Sequence, residues 1–474
     1  MTTTVASLTG KAVVLDDSSI ENLAGRIGGR ILRPSDRDYD EAISIWNGLI
    51  SRRPGIVVQP SSSADVVATV EFVRDHGLEL SIKGGGHNIA GLALSDGGVT
   101  LDMSQMRTVD VDVETMTARV GPGCTLGDVD HATQKLGLAT TLGFVSETGV
   151  AGLTLGGGFG YLTRQNGWTV DDLLEVEVVT ADGRVLRANM SVEADLFWAI
   201  RGGGGNFGVV TEFVFRLHHV GPDVTGGLIA WSAEEAPEVL RLFGELTALA
   251  PRELTIAVLM RNAPAAPWLP EHRHGQPMIA FVLNHCGTPE EAAADMAPIQ
   301  SFGSPWADLI ARKPYVDQQS MLDATQPKGM HYYWKSEFLP ELTDGLFEMY
   351  RAQFEDLAAP ANQYILFHIG GAVNEHAEDD GAVGNRDAAF AAVIQSMWPA
   401  NSDATESNRE WVRSAWEATL PYSTGGNYIN FQTDDEADLR IADSYRQNLV
   451  RLEKIKTKYD PDNLFRVNRN IQPG

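Results

Sequence analysis

Residues 148–160 run Thr148-Gly149-Val150-Ala151-Gly152-Leu153-Thr154-Leu155-Gly156-Gly157-Gly158-Phe159-Gly160, and two other stretches share their character. Upstream stands Lys83-Gly84-Gly85-Gly86-His87-Asn88, and downstream Arg201-Gly202-Gly203-Gly204-Gly205-Asn206-Phe207-Gly208. Closely spaced glycines let backbone N–H groups approach an anion with no side chain in the way. Taken singly, each cluster reads as a tight turn or a close strand crossing. Together they exceed what turns demand, and such loops converging would cradle a pyrophosphate and hold an extended cofactor.

The flanking patterns are those of strands and helices in alternation. Ile56–Val58 reads as a strand; Val66, Val67, Val70 and Val73 recur at helical spacing up to Gly77. Leu78–Ile82 is a second strand that feeds the first glycine cluster. Strands are predicted at Val99–Met103, Ala118–Val120, Leu173–Thr180 and Val209–Leu217, with a helix over Leu126–Leu136 and a hairpin turn at Asp182-Gly183. Residues 1–54 read as mixed and polar, with a helix over Tyr39–Leu49. From about residue 219 the glycine clusters stop. Strands at Leu228–Trp231, Thr255–Met260, Met278–Asn284, Tyr332–Phe338 and Tyr364–Ile369 alternate with helices at Glu234–Leu249, Pro289–Ile299 and Leu342–Leu357. That order predicts an antiparallel sheet with helices on one face. Near the C-terminus Ile441, Tyr445, Leu449, Leu452 and Ile455 share one helical face.

Several chemistries are set aside on spacing or charge. GxGxxG occurs at Gly203, Gly205 and Gly208, but a helix-like segment precedes it and a strand follows, the reverse of a dinucleotide-binding fold. No glycine stretch ends in Gly-Lys-Ser/Thr, so there is no P-loop. His272, His274 and the pair His285-Cys286 lack further ligands at metal spacing, and no metal site is expected. The acid pairs Asp379-Asp380 and Asp434-Asp435 read as solvated loops. A net charge of −26 over 474 residues repels phosphate backbones, so no nucleic-acid partner is expected. No apolar run approaches the ~20 residues needed to span a bilayer, and no membrane partner is expected. The N-terminus has no basic region ahead of its apolar residues, and the two cysteines, Cys124 and Cys286, make no disulfide framework. The expected location is therefore the reducing cytoplasm.

The three glycine stretches, with Val209-Val210-Thr211 closing the third, resemble the flavin-binding domain of the p-cresol methylhydroxylase (PCMH)/vanillyl-alcohol oxidase superfamily. Tyr428-Ile429-Asn430 and residues 456–470 (KTKYDPDNLFRVNRN) are similar to its berberine-bridge-enzyme-like branch, and to single-linked members of that branch above all. The resemblance implies an α+β fold. A two-subdomain FAD-binding domain would span residues 1–218, with its core at about 50–218. A substrate domain would span 219–420, and a C-terminal berberine-bridge-enzyme-like segment, 421–474, would return to the FAD domain. It implies FAD carried on His87 through the flavin 8α-methyl group, chemistry that suits a neutral imidazole. Relatives with a second link use a cysteine where this chain has Val145, so a single link is expected.

The resemblance further implies a cofactor site of Lys83, Gly84, Gly85, Gly86, His87, Asn88, Thr148, Gly149, Gly152, Thr154, Gly156, Gly157, Gly160, Val210, Tyr428 and Asn430. In relatives the residue matching Thr148 lies near the flavin face where dioxygen reacts. The expected activity is oxidation of a C–OH group in an alcohol or sugar-like small molecule. Hydride would pass to flavin N5, and dioxygen would be reduced to hydrogen peroxide. Amine oxidation, a non-oxygen acceptor and a non-catalytic flavin carrier are the alternatives. Tyr428 matches a tyrosine that faces the substrate in sugar-oxidising relatives, but a phenol needs a nearby cation to act as base at neutral pH. Lys335 is one source of that cation, and His368 reads equally as a pocket residue or a packed histidine. Along His331-Tyr332-Tyr333-Trp334, alternation places His331 and Tyr333 on one face and Tyr332 and Trp334 on the other.

Overall fold

The computed structural model describes residues 2–354, 362–436 and 438–474. Parallel strands Ile56–Gln59, Val99–Asp102 and Leu80–Lys83 form a small sheet, which Arg30–Leu32 extends antiparallel. The crossover between the first and last of these is the helix Ser63–Asp75. Ser62 caps it by accepting from Asp65 N, and its valines pack on Ile56, Val58, Leu80 and Leu101. A second, five-stranded antiparallel sheet runs in the order Val185–Asn189, Leu173–Val179, Val209–Arg216, Thr117–Val120, Val109–Asp112. The glycine stretches connect and flank the strands of these two sheets.

Over these units lies an eight-stranded antiparallel sheet. Its order is Ala307–Asp308, Asp223–Ser232, Pro277–His285, Leu254–Asn262, Gln363–His368, Phe390–Trp398, His331–Leu339, with Ala311–Pro314 also pairing with Asp223–Ser232. Period-two alternation gives this sheet two different faces. Trp231, Val258, Phe281, Tyr333, Tyr364 and Ile394 pack under the helices Ala236–Leu249, Pro289–Gln300, Asp344–Phe354 and Thr405–Thr419. Ala230, Ala257, Val282, Ile365, Phe367 and Val393 face Phe159, Tyr161 and Trp168 of the glycine-loop unit. The C-terminal helix Leu449–Tyr459 returns to that unit. Its fully buried Lys456 donates to Asn206 O, Phe465 O and the Asp460 carboxylate at 2.6–2.9 Å.

The structure departs from the sequence expectations in several places. The helix over Tyr39–Leu49 shrinks to Tyr39–Ala42. The rest is an irregular strap held by Trp46 N donating to Gly86 O and by Gly48, where a Cβ would sit 2.2 Å from Gly329 O. Residues 1–54 also hold a hairpin, Thr2–Ala6 with Ala12–Asp16, and the helix Asp17–Arg26. The strand Phe390–Trp398 and helix Thr405–Thr419 lie outside the elements expected from the sequence; the strand is an inner one, next to the edge strand His331–Leu339. The predicted helix Leu342–Leu357 is seen as Asp344–Phe354, and its further residues lie outside those described.

One buried ion pair joins the roof to the base. Asp171, after the second glycine stretch, accepts from both terminal nitrogens of Arg386 at 2.7 Å. Burial disfavours the charge on Asp171, but the Arg386 hydrogen bonds and charge outweigh it and hold the carboxyl below its ordinary range. Its contribution is therefore present above the unfolded carboxyl value of about 4 and lost as pH falls below it. Asp171→Asn should lower stability by about 3–5 kcal/mol in urea unfolding at neutral pH, because Arg386 is left buried without its counter-charge. The variant should also lose less further stability on acidification than the parent.

Candidate active site

The three glycine stretches converge beneath the roof sheet and line one long cavity. Gly85 and Gly149 meet backbone to backbone: a Cβ on the first would lie 2.4 Å from Gly149 N, and one on the second 2.3 Å from Gly85 N. Gly152, in the helix Val150–Leu155, is the opposite case. A Cβ there would meet no atom within 4 Å, because that face of the helix looks into the cavity. The third stretch contributes Gly204, Gly205, Asn206, Gly208 and Val210. Asn206 is pinned by the returning C-terminus, donating to Arg469 O and accepting from Ile471 N.

His87 lines both this cavity and a more polar recess that also contains Arg107, Asp128, His131, Glu147 and Lys328. Trp46 stacks on its ring at 5.4 Å and 14°. Desolvation, helped by the Lys328 charge, pushes the imidazole down to about 4, so His87 is neutral at physiological pH. Val145 lines the cavity, whereas the two cysteines do not. Cys124 is fully buried and donates to Thr108 O; Cys286 donates to Gln165 Oε1. Burial pushes both thiols up to about 12, which leaves no thiolate near His87.

Of the expected cofactor residues, Gly84, Gly85, Gly86, His87, Asn88, Thr148, Gly149, Gly152, Gly156, Val210, Tyr428 and Asn430 come together on the cavity wall. Four do not. Lys83 is buried in an ion pair with Asp102 at 3.0 Å, and Thr154 is packed inside. Gly157 serves a turn with φ of +115°, and Gly160 crosses Leu142, whose carbonyl oxygen would be 1.8 Å from a Cβ. These positions shape the loop without facing the cavity.

Tyr428 enters from the C-terminal segment, caged by Phe159, Phe431 and Trp168. Its hydroxyl accepts from Gly158 N and Asn430 Nδ2, both at 2.9 Å. Asn430 also donates to Leu153 O, which ties the segment to the second glycine stretch. Burial raises the phenol above its ordinary range despite these two donors. The cation expected from Lys335 is not there. That ammonium lies on the helix-covered face of the sheet, bound to Asp435 at 2.9 Å and Glu436 at 2.8 Å. Asp435, expected in a solvated loop, also accepts from Tyr333 and Arg413; these bonds outweigh burial and hold it below the usual carboxylate range. His368 is likewise turned away. Its Nε2 accepts from Arg164 Nη1 at 2.5 Å, and desolvation followed by the Arg164 charge takes it down to about 2. With its lone pair committed, His368 cannot take a substrate proton.

Alternation instead brings Phe367 and Trp334 to the cavity, with Phe144, Leu322, Thr325, Gln326, Ile365, Val393 and Gln395. The alternation read along residues 331–334 holds: Tyr333 packs under the helices while Tyr332 stacks on Trp46 at 3.8 Å. Trp46, Gln326 and Gln395 were missed. Trp46 sits in an irregular strap and Gln326 in a loop, where no periodicity marks a side chain's direction; Gln395 lies in the strand Phe390–Trp398, outside the expected elements.

Two substitutions separate wall from cavity. Gly152→Leu should leave the melting temperature within a few degrees of the parent but yield protein that purifies without bound flavin, since the side chain fills cavity space alone. Gly149→Ala should cost about 1–3 kcal/mol in thermal or urea unfolding, because the added methyl meets backbone.

Comparison with known proteins agrees with this geometry. A family model described as an FAD binding domain matches residues 54–189, and one described as berberine and berberine like matches residues 427–472. An FAD-linked oxidoreductase of Dictyostelium discoideum is 33% identical over 452 residues, covering 94% of this chain and 95% of that protein. The (R)-6-hydroxynicotine oxidase of Paenarthrobacter nicotinovorans is 30% identical over 463 residues, covering 94% and 97%. The crystal structure of 6-hydroxy-D-nicotine oxidase from Arthrobacter nicotinovorans superposes with a TM-score of 0.82 at 27% identity, covering 94% of this chain and 98% of that one. With its glycine loops, C-terminal tyrosine segment and roof sheet in one arrangement, the chain belongs to the berberine-bridge-enzyme-like branch of the PCMH family and is an FAD-dependent oxidoreductase.

Proposed function

We propose that this protein is an oxidase that carries FAD on a single bond from His87 and oxidises a C–OH group of a small, ring-bearing substrate, dioxygen leaving as hydrogen peroxide. The observation that carries the substrate reading is the cavity lining. Its roof is aromatic and aliphatic apart from Gln326 and Gln395, and among the described residues no Asp or Glu lines it. A protonated amine would enter with no counter-charge, whereas a neutral alcohol needs only hydrogen bonds.

The wall fits the cofactor. Tyr445 Oη, Asn468 Oδ1 and Arg469 Nε are buried on cavity-lining residues with no partner among the described residues. A polar, extended ligand would satisfy such groups. His87 would hold FAD covalently, with Gly84–Gly86, Gly149, Gly152, Val210 and Asn430 around it and Thr148 near the face that dioxygen reaches. When bound, FAD supplies the two-electron acceptor and the route to dioxygen. The chain supplies position and solvent exclusion. Tyr428 keeps its proton at neutral pH, and with both donors already on its oxygen it has one O–H left to offer the substrate.

Acid precipitation tests the link: flavin should stay with the pellet, a His87 peptide should carry the added mass, and His87→Ala should release it. Flavin that washes out refutes the covalent bond. Attachment of FAD to apoprotein should proceed at a constant rate from about pH 5 to about pH 8, since His87 is neutral throughout; a midpoint near the ordinary value of about 6.5 would contradict this. A panel of ring-bearing alcohols and matched amines, read by peroxide release in air, tests the substrate class. Tyr428→Phe should slow flavin reduction by the substrate about tenfold with an unchanged pH profile, as loss of one hydrogen-bond donor requires. Loss of a pH limb would make Tyr428 a base.

A further inference from the structure

Across the cavity face of the roof, one cross-strand row differs from its neighbours. Arg261 stands directly opposite Gln363, Gln363 opposite Gln395, and Gln395 opposite Trp334. The adjacent row, Leu259, Ile365 and Val393, is apolar until it ends at Ser336. The polar row is hydrogen-bonded end to end. Arg261 Nη1 donates to Gln363 Oε1 at 3.3 Å, and Gln363 Nε2 donates to Gln395 Oε1 at 3.0 Å. Gln395 Nε2 then donates to Gln326 Oε1 at 3.1 Å. Gln363 and Gln395 are buried, and Gln395 and Gln326 line the cavity. Arg261 also donates from Nε to the Asn262 carbonyl at 3.2 Å, and burial lowers its pKa.

An amide can be turned end for end, but a guanidinium has donors only. Arg261 therefore obliges Gln363 to present its oxygen, which leaves the Gln363 nitrogen for Gln395, and the same constraint passes on to Gln326. The Gln326 loop is itself held, since its backbone carbonyl accepts from Trp46 Nε1 at 2.9 Å. We infer that this row is a polarity-locked relay that makes Gln326 Nε2 an obligate hydrogen-bond donor to the cavity, so that the enzyme selects substrates bearing an acceptor oxygen or nitrogen beside the ring. Gln326 is the residue that meets the ligand, and Arg261, Gln363 and Gln395 are positioning residues. The inference rests on the cavity being the substrate site, as proposed above.

The test uses flavin-loaded enzyme and the change in flavin absorbance on ligand binding. Acetophenone and α-methylstyrene have the same shape and differ in a carbonyl oxygen against a methylene; benzamidinium offers donors only. The parent should bind acetophenone about tenfold more tightly than α-methylstyrene, the effect of pairing or stranding one buried donor. Gln326→Met should bring the two to equal affinity, with α-methylstyrene tightening because it no longer strands a donor. Gln395→Glu places an acceptor-only carboxylate in mid-row, so Gln326 must turn and face the cavity with its oxygen. Acetophenone should then weaken about tenfold and benzamidinium tighten about tenfold. Equal affinity for acetophenone and α-methylstyrene in the parent, or an unchanged preference in Gln395→Glu, overturns the relay. Should Gln395→Glu fail to fold, Gln326→Met decides alone. Because binding is read without turnover, a failed relay in an enzyme that still holds flavin and releases peroxide leaves the oxidase reading standing.

Discussion

Gly85 and Gly149 touch backbone to backbone, and the cavity exists because nothing stands between them. This contact joins the loop that carries His87 to the start of the helix whose open face, at Gly152, forms the wall. A methyl group at either glycine would push the loops apart and break the continuity of the site. The energetic burden of holding irregular backbone in this way falls on surrounding packing: Trp46 covers the first loop, Asn430 ties down the second and Asn206 is clasped by the C-terminus. The C-terminal segment is in this sense part of the flavin unit, although it lies far from it in the chain.

A second constraint is electrostatic. The protein is strongly acidic, yet among the described residues no carboxylate reaches the cavity wall. Several charges close by are spent elsewhere. Lys335 is held by Asp435 and Glu436 behind the sheet, Asp171 is shared by Arg386 and Arg201, and Arg164 donates to His368 and to backbone carbonyls. The roof lining of the cavity is aromatic and aliphatic, interrupted by Gln326 and Gln395, and Tyr428 beside it keeps its proton. In such a setting orientation comes from a few donors, and each counts for more than it would in water.

The extent to which this was legible beforehand follows from the kind of signal involved. Glycine clusters, a histidine among them and the Tyr-x-Asn of the C-terminal segment are local patterns, and they led to the family and to most of the cavity wall. Lys83, Thr154, Gly157 and Gly160 sit within the same patterns but face away, since adjacent residues in a tight loop diverge. Strand alternation correctly separated Tyr333 from Tyr332, yet it could not say which face met the cofactor. It also could not say that Phe367 and not His368 would reach the cavity.

By itself, then, the sequence determined the cofactor class, the place of the glycine loops and the alternation of strands and helices, because each is written in short-range periodicity or in residues whose backbone freedom is unusual. Only the tertiary structure decided which charges meet. Lys335 was available in principle to Tyr428, and Asp435 to solvent, until strand pairing put the first behind the sheet and brought the second to it. The relay from Arg261 to Gln326 exists for the same reason. Its members come from three strands and a loop, and register places them in line while no spacing along the chain records it.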